Sequence, residues 1–160
     1  MRTDRFATNR NFAQFILAEL FQRKNILNVR IHLNWTQIPT VLRREFATKI
    51  ARRFRNNISR FYFPDARNGN FAVCVIYLHE DDCPHLHILV ELPDNKTIEE
   101  VRRFVGDFVR KPRRDNMDRL VWDCVPAKKR DTLFYVEEAH DLIGSLIYNQ
   151  RYGLETALLF

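Results

Sequence analysis

At 160 residues, 46% of them hydrophobic and 13 of them Phe, the chain suits one domain, spanning 1–160, with enough apolar mass for a packed core and too much for wholesale disorder. A net charge of +6 points to a polyanionic partner, and the three cysteines, Cys74, Cys83 and Cys124, form no Cys-x-x-Cys pair, which argues against a disulfide framework and for reduced thiols in the cytoplasm. No apolar run reaches the ~18 residues of a membrane span, and Met1-Arg2-Thr3-Asp4 lacks an apolar export core, so no membrane partner is expected.

Along the chain, Phe12, Phe15, Ile16, Leu20 and Phe21 recur at helical spacing, and residues 26–35 follow as a strand in which Val29, Ile31 and Leu33 alternate. Pro39 opens a helix reaching about residue 57, with Leu42, Phe46, Ile50 and Phe54 as its apolar stripe. Arg43, Arg44, Lys49, Arg52, Arg53 and Arg55 fall mostly outside that stripe and give the helix a basic flank. Residues 61–63, with Tyr62 in the middle, read as a short strand, 65–70 as a turn and 71–80 as a long strand rich in β-branched and aromatic residues. A turn at 81–84 leads into the returning strand 85–92.

Thr97-Ile98-Glu99-Glu100 is a capping box that opens a helix to about Val109, followed by the basic loop Arg110-Lys111-Pro112-Arg113-Arg114. Residues 119–125 alternate as a further strand, and Lys128-Lys129-Arg130 adds a last basic cluster. From Thr132 to Gln150 the pattern is helical, with Ala139, Leu142, Ile143, Leu146 and Ile147 as the buried stripe and Tyr135 near its start. Hairpins combined with helical crossovers predict an α+β domain: an antiparallel four- or five-stranded sheet with flanking helices, ferredoxin-like in character.

The chemistry concentrates in His85-Leu86-His87. On a strand, residues i and i+2 point the same way, so the two imidazoles share a face and form a pair of ligands for a divalent cation. With 81–84 as the turn, Glu80 lies opposite His85 and supplies a carboxylate on that face; a register shifted by one presents His79 instead. Two imidazoles and a carboxylate leave open positions for phosphate oxygens and suit Mg²⁺ or Mn²⁺. A zinc site drawing on Cys83 is the rival assignment, and two ordinary polar residues on a half-exposed strand are the plain one. His32 and His140 carry no assignment.

A second group falls in the last helix. Tyr148 lies off the apolar stripe, on the side shared by Asp141, Gly144, Ser145 and Tyr152, where small neighbours leave its hydroxyl accessible. A phenol with a pKa of about 10 needs a nearby cation to act as a nucleophile, and Arg151 supplies fixed positive charge one turn on.

Taken together, His85-Leu86-His87 and Tyr148-Asn149-Gln150-Arg151-Tyr152 resemble the HUH endonucleases, the superfamily of rolling-circle replication initiators, relaxases and single-strand transposases. There a strand carries His-hydrophobic-His and a later helix carries a tyrosine commonly followed, three residues on, by lysine. This chain has Arg151 at that place. Tyr152 is similar to the second tyrosine of the two-tyrosine members. The resemblance extends over residues 26–153 and implies a metal-dependent enzyme that nicks and joins single-stranded DNA, with or without a hairpin. In it Tyr148 attacks phosphorus, leaving a 3′-hydroxyl and a 5′-phosphotyrosine. The size, without a Gly-rich phosphate loop, fits a minimal replication initiator or compact transposase.

The expected nucleic-acid contacts are Arg43, Arg44, Arg52, Arg53 and Arg55 on the basic helix, Arg110, Lys111, Arg113 and Arg114 in the loop after the next helix, and Lys128, Lys129 and Arg130. Two other classes stay open: a ferredoxin-like RNA endoribonuclease using His85 or His87 as general acid and base, and a non-catalytic single-strand binder.

Overall fold

Alternation along the first strand sorts its side chains into two sets. In β1 (Asn25–His32), Leu27, Val29 and Ile31 are buried on one face, while Asn28, Arg30 and His32 stand half-buried on the other. The computed structural model describes residues 25–33, 38–65, 72, 74–79, 85–110, 134–140 and 158–159. After β1 come α1 (Thr40–Tyr62), β2 (Cys74–His79), β3 (His85–Leu92), α2 (Ile98–Arg110), β4 (Phe134–Glu138) and the short β5 (Leu158–Leu159).

The strands form one sheet in the order β4-β1-β3-β2-β5, and every pairing in it is antiparallel. The class is α+β. Because β1 and β2 both run against β3, which lies between them, α1 carries the chain from β1 over one strand to β2. In the same way α2 carries it from β3 past β1 to β4.

Both helices contribute to the core on one face of the sheet. Phe46, Ile50, Phe54, Ile58 and Tyr62 follow one another at four-residue spacing along α1, and Val101, Val105 and Val109 do so on α2. They share the core with Leu27, Val29 and Ile31 of β1, Ile76 and Leu78 of β2, and Leu86, Ile88 and Val90 of β3. The helices meet through aromatic rings: Phe54 lies edge-on to Phe104 and Phe108 at 6.1 and 5.4 Å, and Phe61 stacks on Phe104 at 4.9 Å. Ser59 ties α1 to the chain ahead of β2, donating its hydroxyl to Arg55 O at 2.6 Å and accepting the Ala72 amide at 2.8 Å.

Three expectations change. The short strand at 61–63 is instead the end of α1, closed by the Phe63 amide on Ser59 O at 2.9 Å. Ile58 and Tyr62 prolong the buried stripe by two turns, and that burial outweighs the strand preference of Phe-Tyr-Phe. Leu42 does not belong to the stripe; it is 42% exposed and Val41 beside it 87%, so the first turn of α1 lies ahead of the segment that packs on the sheet. Residues 134–138, read as the start of a helix, are strand β4, in which Val136 pairs with Val29 and Phe134 with Ile31. Here pairing with the open side of β1 overrides local periodicity.

The capping box at Thr97 forms as expected. The Thr97 amide donates to Glu100 Oε2 at 2.8 Å and the Glu100 amide to Thr97 Oγ1 at 3.3 Å; the first of these bonds holds the Glu100 carboxyl below its usual range. The helical pattern at 12–21, the strand at 119–125 and the rest of the final helix lie outside the described residues. Among the described residues, no helix is long and apolar enough to cross a membrane.

Truncating Phe54, which is fully buried between sheet and α2, is expected to cost about 3–5 kcal/mol in Phe54→Ala, measured by urea unfolding. Cys74 gives a pH signature. Burial pushes its thiol up from 9.0 to about 12, with Glu91 adding to the rise and Arg55 opposing it. Above pH 9 the unfolded chain loses this proton while the folded chain keeps it, so its contribution is intact below pH 9 and declines as pH climbs toward 12. Urea titrations between pH 8 and pH 10.5 should therefore show a shallower alkaline loss in Cys74→Ala than in the wild type.

Candidate functional site

Alternation puts His85 and His87 on one face of β3; the ladder decides what stands beside them. On the β2 side, His79 pairs with His85, Leu78 with Leu86 and Tyr77 with His87. The expected pairing of Glu80 with His85 is thereby corrected: the connection is 80–84 rather than 81–84, and His79 takes the place opposite His85. The reason is the core. This register turns Cys74, Ile76 and Leu78 toward the helices together with Leu86, Ile88 and Val90, whereas a slip of one residue would turn Tyr77 and His79 inward and Ile76 and Leu78 outward. Glu80 itself lies outside the described residues.

On the β1 side, His32 pairs with His85 and Arg30 with His87, so His32, His85 and His79 form one row across three adjacent strands. The next row holds Tyr135, Arg30, His87 and Tyr77, and the one after it Glu137, Asn28, Leu89 and Val75. His79 stacks on His85 with ring centroids 4.6 Å apart, and His87 and His32 lie 5.7 Å from His79 and 5.9 Å from His85 respectively. His79 and His85 are buried, His32 and His87 half-buried. The face is more than a polar rim, because Val75, Tyr77 and Leu89 on it are fully buried.

Two polar side chains of β1 lean diagonally onto the imidazoles. Arg30 Nη2 meets His85 Nδ1 at 3.2 Å, and Asn28 Oδ1 meets His87 Nε2 in a short contact. A guanidinium only donates, so His85 Nδ1 accepts and the neutral ring keeps its proton on Nε2. Asn28 uses its Nδ2 toward Glu137 Oε1 at 3.5 Å, which leaves its oxygen to accept from His87 Nε2–H. The two histidines thus present different ring atoms to β1, His85 its Nδ1 to Arg30 and His87 its Nε2 to Asn28.

By donor type and common face, His79, His85 and His87 fit a divalent cation of the borderline class. Their present orientations do not converge: among the described residues no three His, Cys, Asp or Glu side chains are set to hold an ion, and Arg30 occupies the Nδ1 of His85. Holding a cation therefore requires the rings to turn and Arg30 to give up His85.

The other expected site residues are distributed as follows. Arg44 and Arg52 on α1 are exposed and Arg43, Arg53 and Arg55 half-buried, but α1 covers the core face, so the sheet stands between this basic flank and the histidines. Arg43 donates to Ile38 O at 3.2 Å and Arg55 to Asn56 Oδ1 at 3.1 Å. Arg110 ends α2. Tyr148, Arg151, Tyr152, Lys111, Arg113, Arg114, Lys128, Lys129, Arg130 and Cys83 lie outside the described residues. Tyr62, read as a strand residue, is on α1 on the core face, where burial and then Glu91 hold its hydroxyl far above the usual phenol range, unsuited to act as a nucleophile. Tyr135 is instead on β4 and exposed, on the histidine face beside Arg30.

Sequence reading missed Arg30, Asn28 and His32. Their alternation with Leu27, Val29 and Ile31 marks them as sharing a face, but nothing local reveals that β3 lies alongside. The register has a direct test in a Cys83→Ser background: His79→Cys/His85→Cys is expected to form a disulfide on mild oxidation, seen as a shift on a non-reducing gel, and Glu80→Cys/His85→Cys to form far less. The reverse result would restore Glu80 as the residue opposite His85.

Compared with family models, curated proteins and solved structures, the chain matches none.

Proposed function

We propose that the chain is a metal-dependent enzyme of HUH type that nicks and joins single-stranded DNA through a 5′-phosphotyrosine. The observation that carries this reading is the gathering of His79, His85 and His87 on one sheet face by the β2–β3 ladder, which supplies a third imidazole beside the His-hydrophobic-His pair. The element order β-α-β-β-α-β ahead of the short β5, and the sheet order β4-β1-β3-β2 with β5 added beside β2, support a ferredoxin-like fold, the scaffold the reading requires.

In this reading His79, His85 and His87 would hold the divalent cation, with Mn²⁺ suiting three imidazoles better than the harder Mg²⁺. Such a cation would supply charge stabilisation at the scissile phosphate. Tyr148 attacks phosphorus, the 3′-hydroxyl leaves, and the DNA 5′-phosphate stays on the tyrosine until the hydroxyl returns; Arg151 favours the phenolate and Tyr152 offers a second acceptor. The partner is single-stranded DNA, drawn by the excess of basic residues, and the setting is cytoplasmic.

A second reading rests on the neighbouring imidazoles of His85 and His87, the one meeting Arg30 and the other Asn28. Two imidazoles on one face supply the general acid and general base that an endoribonuclease acting on RNA through its 2′-hydroxyl would need.

Labelled single-stranded DNA incubated with Mn²⁺ is expected to give a denaturation-resistant protein–DNA adduct, lost in EDTA and in Tyr148→Phe and kept in Tyr135→Phe. His79→Ala should reduce adduct formation by at least about 100-fold, the upper end of what a supporting residue alone costs a metal site. Cleavage of RNA in EDTA with no DNA adduct would decide for the second reading, and loss of the adduct in Tyr135→Phe alone would move the nucleophile to β4.

A further inference from the structure

We propose that Arg30 is a phosphate-binding residue, its guanidinium holding a phosphodiester of the strand laid on the histidine face. This rests on the reading that the face receives a nucleic-acid strand, and it holds whether that strand is DNA cut with a cation or RNA cut by imidazoles.

Arg30 is half-buried in the middle of β1 and brings a cationic guanidinium there. A cation drawn into a protein interior is ordinarily met by a carboxylate. Arg30 has none: among the described residues its hydrogen bond is to His85 Nδ1 at 3.2 Å, a neutral acceptor, and its Nε is shielded from solvent with no partner. The ladder neighbours of Arg30 are His87 on one side and Tyr135 on the other, neither of them an acid. On the adjacent strand Glu137 accepts from Asn28 at 3.5 Å, and Glu91 lies toward the far end of β3, opposite Ile26. Apolar residues in this place would serve the fold better than an uncompensated charge.

What the charge suits is an anion with two oxygens in a plane. The two terminal nitrogens of a guanidinium form a fork that matches two phosphate oxygens, a geometry lysine cannot reproduce. The fork sits between the two rows that carry His85 and His87, so a phosphate held by it lies beside the imidazoles. On binding, the guanidinium turns from His85 to the phosphate and leaves His85 Nδ1 to other use.

The test is binding without cleavage. Fluorescence anisotropy of a labelled single-stranded oligodeoxynucleotide, measured in EDTA over a salt series with the full chain, should show Arg30→Met weakened at least about tenfold. Its log–log salt slope should fall by about 0.7, the value for one phosphate contact on a single strand. Arg30→Lys should regain part of both. Because Arg30→Met alters a packed face, the wild type gives an independent measurement: the Arg30 Nε–H resonance in ¹H–¹⁵N spectra should shift on addition of the same oligonucleotide. Unchanged affinity and slope in folded Arg30→Met, or an unmoved resonance while the wild type binds, overturns the proposal. Failure of the wild type to bind overturns both it and the reading of the face, whereas binding that depends on Arg30 with no adduct in Mn²⁺ removes only the nicking chemistry.

Discussion

The double pairing of β3, against β1 on one side and β2 on the other, is the constraint from which the remaining arrangement follows. A strand flanked on both sides could pair its amides in more than one register, and burial of Leu86, Ile88 and Val90 under the helices selects this one. Once it is fixed, His85 and His87 must stand on the far face, and the residues opposite them on two other strands are decided with no further choice. One slip would exchange the core and the polar lattice.

The two faces of the sheet answer to different physics. On the helix side, rings of Phe54, Phe61, Phe104 and Phe108 lock α1 to α2 by close packing. On the other side, Val75, Tyr77 and Leu89 are as buried as the core, yet they enclose His79, His85, Asn28 and Arg30. Low local polarity strengthens the bonds of His85 with Arg30 and of His87 with Asn28, and it raises the cost of any group left unmatched. A lattice that is apolar around its edges and charged at Arg30 carries a strain in solvation that packing alone does not remove.

The same geometry divides the positive charge of the molecule. The basic flank of α1 belongs to the outer surface of the helix layer, while Arg30 belongs to the histidine face. Charge clustering in sequence is therefore a poor guide to which cations act together, because helix and strand cations adjacent in number face opposite sides of one sheet.

The sequence by itself determined what depends on local spacing. The strand at 85–92 with two imidazoles on one side, the capping box at Thr97, the apolar stripe from Phe46 to Phe54 and the α+β class all follow from periods of two and of about four and from side-chain hydrogen bonding over three residues. Only the tertiary structure decided the rest, since long-range pairing leaves no local trace. It put His79 rather than Glu80 opposite His85, made residues 134–138 a strand on β1, carried α1 on to Tyr62, and set Arg30, Asn28 and His32 beside the imidazoles, because burying one continuous apolar face fixes which residues must lie side by side on the other.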